Sequence, residues 1–333
     1  MSPGRRASRA CEEIDSLSEK IPPQKLRIAT HMVAEMLAPV RAAFPEVEVV
    51  TLPVEGELPP DLEAEILLTL PWGTPNLADA LACGVKWVHA YGTGVNGFPF
   101  EVLKGVPLSC SRGASATPIS EWVIAVLLAA EKQLPQTWLS EPPERWNIAD
   151  LGTLSGSRLA LIGFGAIAQA IARRALPFGM KVRGFRRTGR QSSVPEVEIV
   201  TSLEELLCDA DHVVVAAPET PATRHMLNDE SFALMKPGVH VVNIARGGLI
   251  DQAALARALD SGRVGLATLD CVDPEPLPEG HWLYSHPKVR LSAHISWSSP
   301  ESHSGLMDRF VENLARYHRG EALDYLVDPV EQY

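Results

Sequence analysis

The chain of 333 residues is poor in the features that mark several protein classes. It holds five cysteines, Cys11, Cys83, Cys110, Cys208 and Cys271, and none of them forms a CxxC pair. The odd count and wide spacings argue against a disulfide framework. They predict free thiols in a reducing compartment and no metal site. No run of about 18 apolar residues occurs, so no membrane span is expected. A cationic excess is also missing. The net charge of −11 argues against a general nucleic-acid binder. The N-terminus, MSPGRRASRACEEIDSLSEK, has early positive charge but no apolar core behind it, unlike a secretory signal. Its acidic residues Glu12, Glu13, Asp15 and Glu19 argue against an organelle transit peptide. Residues 1–20 are therefore expected to be a disordered tail, and the chain cytoplasmic. No internal repeat appears at solenoid periods.

What the chain does have is 46% apolar residues and a length suited to two domains. Short apolar runs alternate with helical stretches, which predicts α/β layers with parallel sheets. Strands are expected near Lys25–Ala29, Val47–Leu52, Glu65–Leu70 and Val85–Ala90, with a helix around Val33–Phe44. The segment Thr117–Gln133 reads as a helix too apolar for one exposed stripe, burying more than one face. A polar, proline-bearing connector follows around Glu141–Asp150. A second block then has strands expected at Arg158–Ile162, Lys181–Phe185, Glu198–Val200, His212–Ala216, His240–Ile244, Gly265–Asp270 and Val289–Ser292.

The strongest local signal is RLALIGFGAIAQAIARRALPFGMKVRGFRR. An apolar strand runs into Gly163-Phe164-Gly165, and a helix pattern beginning Ala166-Ile167-Ala168 follows at once. This is the GxGxxG/A form. The first glycine permits a tight turn, the second lets a pyrophosphate approach the backbone, and the small third residue packs helix on strand. The helix N-terminus offers N–H groups to phosphate. A lone glycine loop is weak evidence, because glycines also make ordinary turns. Here the preceding strand, the helix and the next strand are all present, so a dinucleotide site is expected.

An NAD site usually has an acid about 20 residues on, bound to the ribose 2′-hydroxyl. This chain has no acidic residue between Gly163 and Pro195, and Arg186 stands at the end of the second strand. Arg186, Arg187 and Thr188 suit a 2′-phosphate, since guanidinium groups pair with it in a forked geometry. NADP(H) is therefore the preferred cofactor, with NAD(H) open if the loop is merely a solvated basic turn.

Three later segments each follow an expected strand, where α/β enzymes place their ligands. They are Ala245-Arg246-Gly247-Gly248-Leu249-Ile250-Asp251, then Leu269-Asp270-Cys271-Val272-Asp273-Pro274-Glu275-Pro276, then Ala293-His294-Ile295. With these in order, the chain resembles the D-isomer-specific 2-hydroxyacid dehydrogenases. That family shows ARGGx(I/V)D, then LDVxxxEP, then a PHI or AHI histidine motif. The resemblance covers roughly Lys25 to Pro329 and is weakest in the first 80 residues. It implies two Rossmann-like or flavodoxin-like α/β domains with parallel sheets and an active site in the cleft between them. The substrate domain would comprise residues 21–104 and 299–333, and the dinucleotide domain residues 105–298.

The resemblance further implies Arg246, Glu275 and His294 as catalytic residues. His294 would move a proton, Glu275 would orient its ring and favour the imidazolium, and Arg246 would hold the substrate carboxylate. Taken singly, each has a bland alternative: a structural histidine, a loop-capping arginine, a surface acid. Thr93 and Gly94, in the turn Tyr91-Gly92-Thr93-Gly94-Val95-Asn96, are implied to grip the carboxylate through backbone N–H groups. Cofactor contacts are implied from Gly163, Gly165, Ala166, Ile167, Ala217, Pro218, Thr223 and Ile244, with Asp270 near the nicotinamide. Ala166 stands where many relatives carry Arg or Asn, and Asn96 where many carry Asp. The turn has no basic residue, which speaks against a phosphorylated substrate. Glyoxylate and hydroxypyruvate are the first candidates, on resemblance to NADP-dependent glyoxylate/hydroxypyruvate reductases. A homodimer is implied as well. The alternative from another class is a non-catalytic, NAD(P)H-sensing, co-repressor-like binding protein.

Overall fold

A computed structural model describes residues 26–187 and 191–333. The N-terminal tail expected from the sequence, and Thr188, lie outside them. The chain divides into two compact units, one holding the residues up to Ala114 together with His303–Tyr333, the other Ser115–Ser302.

The first unit is built on five parallel strands, β1 (Arg27–Thr30), β2 (Glu48–Thr51), β3 (Ile66–Thr69), β4 (Trp87–Ala90) and β5 (Leu108–Cys110). Their order is β2-β1-β3-β4-β5. Every residue of β3 and β4 is buried. That follows from a parallel sheet covered on both faces, which needs continuous apolar runs rather than alternation. Strand β5 is not legible beforehand, being three residues long and preceded by Pro107. The helix expected at Val33–Phe44 instead splits into a 3-10 turn, Ala34–Leu37, and an α-helix, Ala38–Ala43. Pro39 at the start of the second piece has no N–H to carry the ladder through. The helix Pro300–His318 returns to this unit, where Phe310 stacks on Trp87 at 5.5 Å.

The second unit has seven parallel strands: β6 (Arg158–Ile162), β7 (Lys181–Phe185), β8 (Glu198–Val200), β9 (His212–Val215), β10 (Val239–Asn243), β11 (Val264–Leu269) and β12 (Val289–Leu291). Their order, β12-β11-β10-β9-β6-β7-β8, reverses direction between β6 and β9. Ligands of open parallel sheets bind outside the strand C-termini at such a reversal. Strand alternation feeds two cores. Ala160, Ile162, Val213, Val215 and Val241 face one, and Leu159, Leu161, Val214 and Val242 face the other. The second core is roofed by the helix Ala116–Glu131, through Ile119, Val123 and Leu127. That helix buries one main stripe, while Trp122, Val126 and Leu128 stay partly exposed. The connector at 141–150 has no helix or strand, and Trp146 and Ile148 in it are exposed. No helix among the described residues is long and apolar enough to cross a membrane.

Candidate active site

In the second unit, the described sequence-derived candidates lie in the segments that follow strand C-termini. The glycine loop follows β6. Gly163 has φ +85°, and a Cβ there would lie 2.7 Å from the Ala217 Cα, so only glycine lets β6 and the β9 loop approach this closely. A Cβ at Gly165 would instead project into open space. Gly165 is the N-cap of the helix Ala166–Ala175, and no side chain caps it. Ala166 is exposed, Ile167 is half-buried, and Ala168 is fully buried against the sheet. The loop therefore presents bare backbone and a helix N-terminus on its open side. That fits a dinucleotide pyrophosphate.

Arg186, at the end of β7, does not project as a free basic loop. Its guanidinium lies over the Phe164 ring, 5.3 Å from the centroid. Nε donates to the Phe164 carbonyl at 2.9 Å, and Nη2 donates to the same oxygen. Nη1 reaches the Gln191 carbonyl at 3.4 Å. The arginine is thus anchored beside the glycine loop, while Arg187 is exposed. In the loop after β9, Ala217 is buried and Pro218 exposed. The Thr223 hydroxyl donates to the Pro218 carbonyl at 2.7 Å and accepts from the Thr220 N–H at 2.8 Å, closing the loop on itself. The Ile244 side chain is buried in the second core.

Three neighbouring strand ends gather the remaining candidates. After β12, His294 Nδ1 lies 2.9 Å from Glu275 Oε2. The other carboxylate oxygen, Oε1, accepts the Val272 N–H at 3.0 Å. Burial alone would raise the Glu275 carboxyl. The hydrogen bonds from His294 and the Val272 N–H, with the charges of His294 and Arg246, hold it below the ordinary glutamate value. Arg246, after β10, is half-buried and makes no ion pair among the described residues. Its Nη1 donates to the Ala245 carbonyl at 2.6 Å. Gly247, next to it, packs directly on the backbone that leads to Glu275. A Cβ there would sit 1.9 Å from the Val272 carbonyl carbon.

Asp270 is 1% exposed and its carboxylate is committed to the histidine loop. Oδ1 accepts from Ser292 Oγ at 2.5 Å and the Ile295 N–H at 2.9 Å, and Oδ2 accepts from the Ser296 N–H at 2.9 Å. Its own carbonyl accepts the His294 N–H at 2.9 Å. Asn243 is a further organiser that the sequence reading does not single out. Its Nδ2 donates to the carbonyls of Arg246 at 2.9 Å and Cys271 at 3.2 Å, and its Oδ1 accepts the Ala245 N–H at 3.0 Å. The available signal is an asparagine ending a fully buried apolar strand. Such a polar group needs partners.

Thr93 and Gly94 belong to the first unit, in the turn after β4. The turn is pinned where it begins. The Ser111 N–H donates to the Gly92 carbonyl at 2.8 Å, and a Cβ on Gly92 would meet Pro71 at 2.8 Å.

A family model for the D-isomer specific 2-hydroxyacid dehydrogenase, NAD binding domain, matches residues 124–296. The chain is 31% identical over 296 residues to the D-3-phosphoglycerate dehydrogenase of Methanocaldococcus jannaschii, covering 85% of this chain and 55% of that protein. It thus spans about half the length of that relative. It is 34% identical over 245 residues to the hydroxypyruvate reductase of Thermotoga maritima, covering 71% of this chain and 79% of that protein. A crystal structure of a D-isomer specific 2-hydroxyacid dehydrogenase from Xanthobacter autotrophicus, in complex with NADPH and MES, superposes with a TM-score of 0.79 at 25% identity, covering 93% of this chain and all of that one. The extent of these matches shows that the chain belongs to the D-isomer-specific 2-hydroxyacid dehydrogenase family.

Proposed function

We propose that the protein reduces a small, unphosphorylated 2-oxo acid to the D-2-hydroxy acid with NADPH, and runs the reverse reaction with NADP. The observation that carries this is the His294–Glu275 pair at 2.9 Å, held at adjoining strand ends beside Arg246. The nicotinamide, when bound, supplies the hydride. The chain's own side chains supply position and a proton. With Nδ1 tied to Glu275, His294 has Nε2 left to face the substrate, and it is this atom that protonates the carbonyl oxygen. The Nδ1 proton then stays on the ring, hydrogen-bonded to the Glu275 anion, which fixes the tautomer that remains. Arg246 binds the substrate carboxylate and polarises the carbonyl. Asp270 holds the His294 loop in place at the nicotinamide end of the site.

Preference for NADP(H) rests on the absence of an acid between Gly163 and Pro195 and on Arg186, held beside the glycine loop with Arg187 exposed next to it. Gly163, Gly165, Ala166 and Ile167 would hold the pyrophosphate, and Arg186 and Arg187 the 2′-phosphate. A substrate without phosphate is favoured because the turn Tyr91–Asn96 carries no basic side chain. The relative from Thermotoga maritima is a hydroxypyruvate reductase, which supports glyoxylate and hydroxypyruvate as first candidates. We also propose a homodimer formed through the unit Ser115–Ser302. Exposed Trp138 and Leu139, just before its connector, and Trp146 and Ile148 within it support this.

The test is consumption of NADPH and, separately, NADH against glyoxylate, hydroxypyruvate, pyruvate, phenylpyruvate and 3-phosphohydroxypyruvate. Turnover with NADPH on an unphosphorylated member is the expected result. Preference for the phosphorylated acid would overturn the substrate assignment. NADPH binding with no turnover on any of them would favour a dinucleotide-sensing role.

A further inference from the structure

Cys271 follows Asp270 at the end of β11 and is 1% exposed. It stands where the family pattern LDVxxxEP has valine, so the fold does not need a thiol there. Its Sγ, a carboxylate oxygen of Glu275 and a ring nitrogen of His294 all lie within 4.8 Å of one another. Three ligands bound to one tetrahedral zinc ion stand about 3.4–3.7 Å apart, given metal–ligand bonds of about 2.0–2.3 Å. The widest separation, at most 4.8 Å, would have to shorten by up to about 1 Å, and the 2.9 Å hydrogen bond between His294 and Glu275 would have to open. Glu275 and His294 have the freedom to do this, with side chains 37% and 36% exposed, while Cys271 stays fixed.

The donor set is selective. Thiolate, imidazole and carboxylate together suit zinc, whereas magnesium and calcium want oxygen alone. Three protein ligands plus an open fourth position is the arrangement of an accessible zinc site rather than a closed structural one. Local charge is mixed. Asp270 and Glu275 favour a cation, and Arg246 opposes it. Burial raises the Cys271 thiol well above its ordinary value. A metal must therefore displace a proton: the S–H bond breaks, the proton leaves to solvent and a sulfur–metal bond forms, with no change of oxidation state.

We propose that Cys271, Glu275 and His294 form an inhibitory site for a thiophilic divalent cation, zinc or a metal like it. Its inhibitory half rests on the assignment of His294 as the proton-transfer group, because a metal-bound ring nitrogen and an engaged Glu275 can no longer serve it. The metal-binding half does not. This site is not announced by any cysteine spacing, since its ligands come from two strand ends.

The decisive measurement uses the full chain with cobalt(II), whose bond to thiolate gives a near-ultraviolet charge-transfer band. The wild type is expected to show the band, and zinc to abolish it by displacement. Cys271→Val, which restores the family residue, should lack it. Cys271→Ser serves as the second variant should the valine form fold poorly. In turnover assays in metal-free buffer, Cys271→Val should remain active and need at least about tenfold more zinc for half-inhibition. A cobalt–thiolate band that persists in both variants, or none in the wild type, would overturn the site. Equal zinc sensitivity of wild type and variants would overturn its inhibitory role. If no 2-oxo acid is turned over, the functional assignment falls, while the cobalt band still decides the metal site.

Discussion

His294 sits at φ +53°, a left-handed conformation that costs a residue with a Cβ about 1–2 kcal/mol. Local bonds hold it there. The His294 N–H is bound by the Asp270 carbonyl, and the next two N–H groups are bound by the Asp270 carboxylate. Strain of this kind, over-determined by its surroundings, marks a position where a side chain must point one way. His294→Ala is expected to lower kcat by at least about a thousandfold, the upper part of what a positioned acid–base group supplies. NADPH affinity, read by quenching of protein fluorescence, should stay within about threefold, because the glycine loop is untouched. Full activity in that variant would remove His294 from the chemistry. Glu275→Gln keeps an acceptor for Nδ1 but removes the charge, and kcat should fall by about 10–100-fold. The identities and order of Arg246, Glu275 and His294 were legible in the sequence because they stand in short motifs. The bracing bonds of Asn243 and Asp270 were not, because each bridges segments that are distant in sequence.

At the scale of elements, most strands could be read because parallel strands covered on both faces need unbroken apolar runs. Strands β6, β7 and β8 lie where their patterns place them. What was hidden is short or interrupted. Strand β5 is three residues, and Pro39 divides the first helix. The hinge between β6 and its helix gives a sharp test. Gly163→Ala would drive a Cβ into the Ala217 backbone at a φ of +85°. Stability should fall by about 1–3 kcal/mol, seen as a lower urea midpoint, and NADPH binding should weaken with it. An unchanged midpoint would mean that the loop relaxes freely. The end of β7 decides the cofactor. Arg186→Asp removes the guanidinium and places a carboxylate where a ribose 2′-hydroxyl can use it. The ratio of kcat/KM for NADPH over NADH should drop by at least about tenfold, the equivalent of one lost charge-assisted bond. An unchanged ratio would take Arg186 out of the 2′-phosphate site. The geometry adds a complication that the sequence did not show. Arg186 also braces the Phe164 carbonyl, so affinity for both cofactors should fall somewhat.

For the whole molecule, the sequence alone cuts the two domains at residues 104/105 and 298/299, whereas the compact units part at Ala114/Ser115 and Ser302/His303. The first shift follows from β5, which pairs with β4 and keeps the residues before Ser115 in the first unit. Both units carry buried histidines that no functional motif claims. In the first, His89 lies between Ser109 Oγ at 2.7 Å and Ser111 Oγ at 3.0 Å, and burial pushes its pKa down to about 3. In the second, His212 and His240 face each other across β9 and β10, with Nδ1 atoms 3.4 Å apart. Burial lowers His212 to about 4, with Asp211 working against that and Lys236 with it. Burial, helped by His212 and Arg290, lowers His240 to about 3. Glu131 stands 3.3 Å from His212 Nε2, and its carboxyl is itself raised by burial, then by Asp211. All three rings are thus neutral in the folded chain, while the unfolded chain protonates them near pH 6.5. The stabilisation they provide is complete above that value. It is lost as pH falls from about 6.5 toward the folded values, because the unfolded state binds protons that the folded state refuses. Each histidine contributes a slope of up to about 1.4 kcal/mol per pH unit in that window. Urea unfolding followed between about pH 7.5 and pH 4.5, above most of the carboxylate titrations, should show a stability that is flat at first and then falls. His240→Asn, which keeps a partner for Thr268, should reduce the slope by one proton's worth. A stability independent of pH across this range would mean that the three rings take up protons without unfolding, and that both sheets open to water far more readily than their packing indicates.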